Sequence, residues 1–174
     1  LNTTDGIFSP GSHCGSGDTT TASTTSTTDP YSSTSTSTGG TCSTTVYMSE
    51  IADPNNDTGA RFVELFNDSA GEVSLDGFAL RRWTNDNVTP STSSDVPLDG
   101  WVMGPGATLV VCADAADFSA AFGVECDLEG GTGGPVDSNG DDQIALLFGE
   151  DIVDFFGVIG EDGSGTEHEF EDGQ

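Results

Sequence analysis

Residues 137 to 142 read Asp-Ser-Asn-Gly-Asp-Asp, which spaces the oxygen-bearing side chains of Asp137, Asn139 and Asp141 two apart and puts Gly140 where the backbone must turn. Ca2+ gathers about six to eight oxygens at short range, and this spacing matches the first part of a calcium loop. The bidentate Glu that closes such a loop at its twelfth position is missing, because Phe148 stands there. Two readings follow: a Ca2+ site at Asp137, Asn139 and Asp141, or a polar turn leading into the apolar run at 143 to 147. Asp53, Asn55 and Asp57 form a second, weaker set ahead of Arg61. Other chemistry finds little support. His13 and His168 are the sole imidazoles, the latter in an acidic loop where a solvated surface histidine is the plainer reading. There is no Gly-x-Ser-x-Gly elbow and no His-Glu-x-x-His pair. Carboxylate pairs are so abundant that none singles itself out. The expectation is a protein without catalytic residues.

Charge narrows the partners. Arg61, Arg81 and Arg82 are the only cationic side chains besides histidine, against 30 Asp and Glu, for a net charge of -27. Phosphate backbones are bound by clustered Lys and Arg, so no nucleic-acid partner is expected. Such a surface suits a chain bathed in cations, either divalent ions or high salt, that screen its self-repulsion. No apolar run reaches the ~18 residues of a membrane span, and residues 1 to 13 lack the charged start and apolar middle of a signal peptide, which suggests a processed form.

The composition changes abruptly near residue 45. From 19 to 45, 20 of 27 residues are Ser or Thr, too polar to build a core. This leader, 1 to 45, precedes one folded unit at 46 to 174. Four cysteines allow three pairings. Cys14 and Cys42 bracket the Ser/Thr tract and Cys112 and Cys126 bracket a short alanine-rich segment, so sequential pairing would staple each and would suit an oxidising, extracellular setting. The tract is a candidate for O-linked glycans on composition alone. Asn-x-Ser/Thr sequons at Asn2, Asn56, Asn67 and Asn87 are what so much Ser, Thr and Asn produces by chance. Within the leader, Ile7 and Phe8 could pack on the chain's own sheet edge or on that of a neighbouring subunit.

Beyond residue 45 the pattern is that of short strands. Runs at 46 to 52, 61 to 67, 73 to 75, 78 to 83, 96 to 103, 107 to 112, 143 to 148 and 151 to 159 are separated by Gly, Asp, Asn and Pro. A Gly149-Glu150 hairpin joins the last two. One helix is expected over 114 to 122, capped by Asp114, rich in Ala and ended by Gly123. About seven strands, one short helix and no visible internal repeat imply an all-β fold, a β-sandwich behind a Ser/Thr-rich irregular leader.

The stretch SEIADPNNDTGARFVELFNDSAGEVSLDGFALRRW, followed by LDGWVMGPGATLVVCADAADF and DSNGDDQIALLFGEDIVDFFGVIG, resembles a lamin-tail domain, an immunoglobulin-like sandwich also found in secreted bacterial proteins. The resemblance covers about 49 to 173 and implies that Phe62, Val63, Leu65, Leu75, Phe78, Leu80, Leu109, Val111, Ile144, Leu146 and Val153 fill core positions. It implies an attachment or structural role with no catalytic set. Similar domains continue past a Glu-Asp-Gly such as Glu171–Gly173 into further strand, so a sandwich one strand short is expected. Taken together, the sequence suggests a secreted, extracellular structural protein that self-associates into a homopolymer, a filament or surface layer, through leader or edge-strand contacts. The alternatives are an accessory domain of an extracellular enzyme such as a nuclease, or a calcium-dependent adhesin.

Overall fold

In a computed structural model that describes residues 45–163, the apolar runs become strands whose side chains alternate between two facing sheets and their outer faces. The leader, the Cys14–Cys42 pairing, the Ile7-Phe8 contact, His13 and His168 lie outside the described residues. Ten strands and one helix follow in order: β1 (Val46–Ala52), β2 (Phe62–Asn67), β3 (Val73–Ser74), β4 (Phe78–Trp83), β5 (Val96–Pro97), β6 (Val102–Met103), β7 (Thr108–Cys112), α1 (Ala115–Phe122), β8 (Leu128–Glu129), β9 (Gln143–Phe148) and β10 (Asp151–Phe156). One sheet has the order β1-β2-β7-β8 and the other β10-β9-β4-β5, with β3 and β6 as a separate pair. The all-β immunoglobulin-like sandwich with one short helix is therefore present.

Register explains the core. Met48 pairs with Leu65, Leu65 with Leu109 and Val63 with Val111 in the first sheet. Leu80 pairs with Leu146 and Val96 in the second. These residues join one buried cluster with Val46, Leu75, Leu98, Met103, Val136 and Ile144. Burying each such side chain stabilises the fold by about 1.5–3 kcal/mol. Of the residues expected in core positions, Phe62 is buried in a second core cluster, on the outer face of the first sheet, with Cys112 and Phe118. Phe78 and Val153 lie at the margin of the main cluster.

Helix α1 covers that outer face. Asp114 Oδ1 accepts from Ala116 N and Asp117 N at 2.9 and 3.0 Å, and Gly123 ends the helix in the left-handed region at φ 73°. Phe62 meets Phe118 and Phe122 edge-on, with centroids 5.5 and 5.4 Å apart. Cys112, at the end of β7, is bonded to Cys126 with the Cα atoms 6.0 Å apart, as the bracketing of the alanine-rich segment suggests. Gly59 packs so closely under the helix that a methyl group there would collide with the Asp117 side chain.

Three expectations need correction. The run at 96 to 103 is two strands in different sheets, because Leu98–Trp101 turns between them. The strand count exceeds seven because short pairings escape a periodicity test. Leu128–Glu129, for instance, pairs parallel to β7 although no run of alternating residues marks it between the helix and residue 143. The last strand stops at Phe156, where Gly157 takes φ 87°.

The two sheets are also joined along one side. Register shifts interrupt β1 between Met48 and Glu50 and β10 between Ile152 and Asp154. There, Met48 N donates to Asp154 Oδ2 at 2.8 Å, and Asp154 is buried. A carboxylate of one sheet thus satisfies a strand N–H of the other.

Candidate functional site

At one end of the sandwich, Arg61 and Arg82 gather the loop that holds the calcium-like sequence. Arg61 stands just before β2 and is buried; its Nε donates to Asp53 Oδ1 at 2.8 Å, its Nη2 to Asn56 Oδ1 at 2.8 Å and its Nη1 to the Asp137 carbonyl at 2.6 Å. Arg82, in β4, donates from Nη1 to Asp137 Oδ1 at 2.8 Å and Asp142 Oδ2 at 3.1 Å, and from Nη2 to the Gly133 carbonyl at 3.0 Å. Gly133 N donates to Asp137 Oδ2, and Asn85 N to Asp142 Oδ1. Both carboxylates of this plug are nearly out of solvent, and burial pushes the Asp142 carboxyl up, against the opposing pull of the Asn85 N–H and Arg82.

The residues predicted to hold Ca2+ are thus divided between two arrangements. Asp137 is engaged by Arg82 and Gly133, while Asn139 Nδ2 donates to Asp141 Oδ2 at 3.1 Å and Gly140 N donates to Ser138 Oγ at 3.2 Å. In the weaker set, Asp53 is the partner of Arg61, Asn55 takes a positive φ of 56°, and Asp57 Oδ1 accepts from Gly59 N. Among the described residues no three His, Cys, Asp or Glu side chains are grouped as ligands for a metal ion.

The remaining arginine, Arg81, points to the outer face of the second sheet. Its Nη2 donates to Asp95 Oδ2 at 2.7 Å and its Nη1 to Glu150 Oε2 at 2.8 Å. Asp95 first, then Glu150, raise the guanidinium above its ordinary value, and the same contact holds the Glu150 carboxyl below its own. Every arginine of the chain is therefore paired inside the fold, and carboxylates dominate what remains outside.

The opposite end of β4 shows a feature that the sequence reading missed. Leu75-Asp76-Gly77-Phe78 and Leu98-Asp99-Gly100-Trp101 are two copies of one turn, related by reciprocal bonds. Gly77 N donates to Asp99 Oδ1 at 2.7 Å and Gly100 N to Asp76 Oδ1 at 2.8 Å. Leu75 N donates to the Trp101 carbonyl at 2.8 Å and Leu98 N to the Phe78 carbonyl at 2.9 Å. Both leucines are fully buried, and both glycines adopt φ near 83–84°, which side chains rarely tolerate. The Gly100 N–H holds the Asp76 carboxyl below its ordinary value, with Ser74 assisting. Absence of an internal repeat is thus corrected at this scale: the repeated Leu-Asp-Gly-aromatic unit, 23 residues apart, was the legible signal.

Neither end brings a nucleophile and a base together; carboxylates here serve as partners for arginines and backbone N–H groups. A family model described as the lamin tail domain matches residues 40–160. No curated protein matches the chain. At least half of the chain lies within that family match.

Proposed function

The chain belongs to the lamin tail domain family, and we propose that it is a non-catalytic structural subunit, secreted to the cell exterior, that assembles with copies of itself once cations screen its charge. The observation that carries this reading is the disposition of charge: three arginines paired within the fold and a net charge of -27. Copies of such a surface repel one another at low salt and approach when counterions accumulate. The Cys112–Cys126 bond supports an oxidising compartment, and the Ser/Thr-rich composition of the leader suits a cell-surface position.

Sedimentation velocity and negative-stain microscopy test it across low salt with chelator, NaCl, and CaCl2 at matched ionic strength. Assembly in NaCl and CaCl2 alike is the expected result for screening. Assembly in CaCl2 alone, lost in Asp141→Asn, would move the weight to a calcium-dependent adhesin. Monomers in every condition would reject self-assembly.

One observation favours a second reading, an attachment module of a larger extracellular enzyme. The Met48 N–H on the edge of β1 is taken by Asp154, and β5 ends in Pro97, which has no N–H to offer. Both leave less edge for strand addition, and the monomer outcome is what this reading expects.

A further inference from the structure

Chance makes sequons, but folding decides which of them a sugar can occupy. Three lie among the described residues, at Asn56, Asn67 and Asn87. An N-linked glycan needs an asparagine that stands at the surface after folding and whose amide can give up one of its two N–H groups.

Asn67 fails on both counts. It is fully buried, and its Nδ2 serves the carbonyls of Gly71, Met103 and Gly104 at 2.9, 3.0 and 2.9 Å, tying the end of β2 to β6. Asn56 is exposed, but its Oδ1 accepts from Nη2 of Arg61 at 2.8 Å, so its amide is held against a buried guanidinium. Both sequons also carry an aspartate in the middle, Asp68 and Asp57, where an anionic side chain opposes an anionic, pyrophosphate-linked sugar donor.

Asn87 differs in each respect. Residues 86–89 are exposed without a break, and the middle residue of the sequon is the uncharged Val88. Asn87 Nδ2 donates to the Thr84 carbonyl at 2.7 Å, and a glycosylated amide keeps the one N–H that this bond needs. The same carbonyl accepts from Asn87 N at 3.1 Å, so the turn is held by the backbone as well. A second observation concerns what surrounds the site. Val88 is 75% exposed, more than any other large apolar side chain among the described residues. Its Cγ1 lies 3.3 Å from where a β-carbon on Gly160 would stand, next to the exposed Ile159. Two apolar side chains thus stand open to water beside the acceptor.

We propose that Asn87 is an N-glycosylation site whose glycan covers the Val88 and Ile159 side chains. Asn87 Nδ2 attacks the anomeric carbon of a lipid-pyrophosphate-linked oligosaccharide; the N–C bond forms, the bond from that carbon to the pyrophosphate oxygen breaks, the lipid pyrophosphate leaves, and the amide proton passes to a base of the transferase. Thr89 supplies the hydroxyl that completes the sequon. The inference rests on the reading of the chain as secreted, because such transfer takes place on the outer side of a membrane or in a lumen.

Glycopeptide mass spectrometry on the protein purified from its own cells and from their medium tests the site. A glycan on the peptide carrying Asn87, with Asn67 unmodified, is the expected result. Thr89→Ala should lose that glycan entirely and Thr89→Ser should keep it, with the urea midpoint of each unglycosylated variant matching that of the enzymatically deglycosylated wild type. Protein in the medium with a bare Asn87 would overturn the proposal and leave secretion standing; protein confined to the cells with a bare Asn87 would overturn both. A glycan on Asn67 of the folded protein, or one on Asn87 that survives Thr89→Ala, would also overturn it.

Discussion

The two ends of β4 solve one problem in opposite ways. Each must fasten loops across the mouth of the sandwich using carboxylates, which this chain has in excess. At the Arg82 end Asp137 and Asp142 are buried and matched to a guanidinium. At the Gly77 end Asp76 and Asp99 are exposed and matched to backbone N–H groups, while Leu75 and Leu98 beneath them provide the burial. The comparison teaches where charge is structural and where it is free. A buried carboxylate needs its cation to fold, whereas an exposed one bonded to a turn keeps its charge for solvent or a partner.

Breaking the plug should have the largest effect. Arg82→Met leaves two buried carboxylates without their cation and should cost about 3–5 kcal/mol, measured by urea unfolding; a loss as small as that of an exposed pair would erase the distinction between the ends. Leu98→Ala and Leu75→Ala should each cost about 2–4 kcal/mol through the cavity they leave. Because the two leucines share one buried cluster, their double mutant should depart from additivity. Gly77→Ala and Gly100→Ala come next, at about 1–2 kcal/mol each for a side chain forced into the left-handed region.

The subtlest prediction concerns pH. A folded-state carboxyl held below its ordinary value contributes stability above that value and loses it as pH falls. The wild-type advantage over Asp76→Asn should therefore be present above the ordinary value of 3.8 and close as pH drops below it. Asp142 has the opposite sign. Its raised value means that its contribution is full below 3.8 and lost as pH rises through the folded value, so Asp142→Asn should gain relative to wild type in that upward direction once the loss of the Arg82 bond is accounted for. Thermal melts from pH 3 to 7 on the two variants, run together, would show gaps trending oppositely; parallel gaps would dissolve the contrast.

Legibility followed the range of the interactions. The helix was readable to within a residue because its signals, Asp114, the alanines and Gly123, act within one turn of chain. The strands of five or more residues were readable because alternation is also local. Two-residue pairings such as β8 were not, since a pairing that short leaves no period to detect, and Leu128 is fixed by β7, by the helix between them and by the disulfide. In the candidate site, spacing drew attention to Asp137, yet its partner Arg82 lies 55 residues away, and no local rule joins them. The reciprocal Asp-Gly turns stood in plain view as a repeated tetrapeptide, but two copies of four residues are too small a signal for a domain-repeat search.

The bond from Met48 to Asp154 also sets a clock. Its partners are 106 residues apart, so during synthesis at about 5–20 residues per second the edge of the first strand waits on the order of 5–20 s for the carboxylate that will occupy it. Through that interval an open strand edge is displayed by a growing chain. The acidic excess of the chain would then protect it while unfinished, since nascent chains of like charge keep their open edges apart.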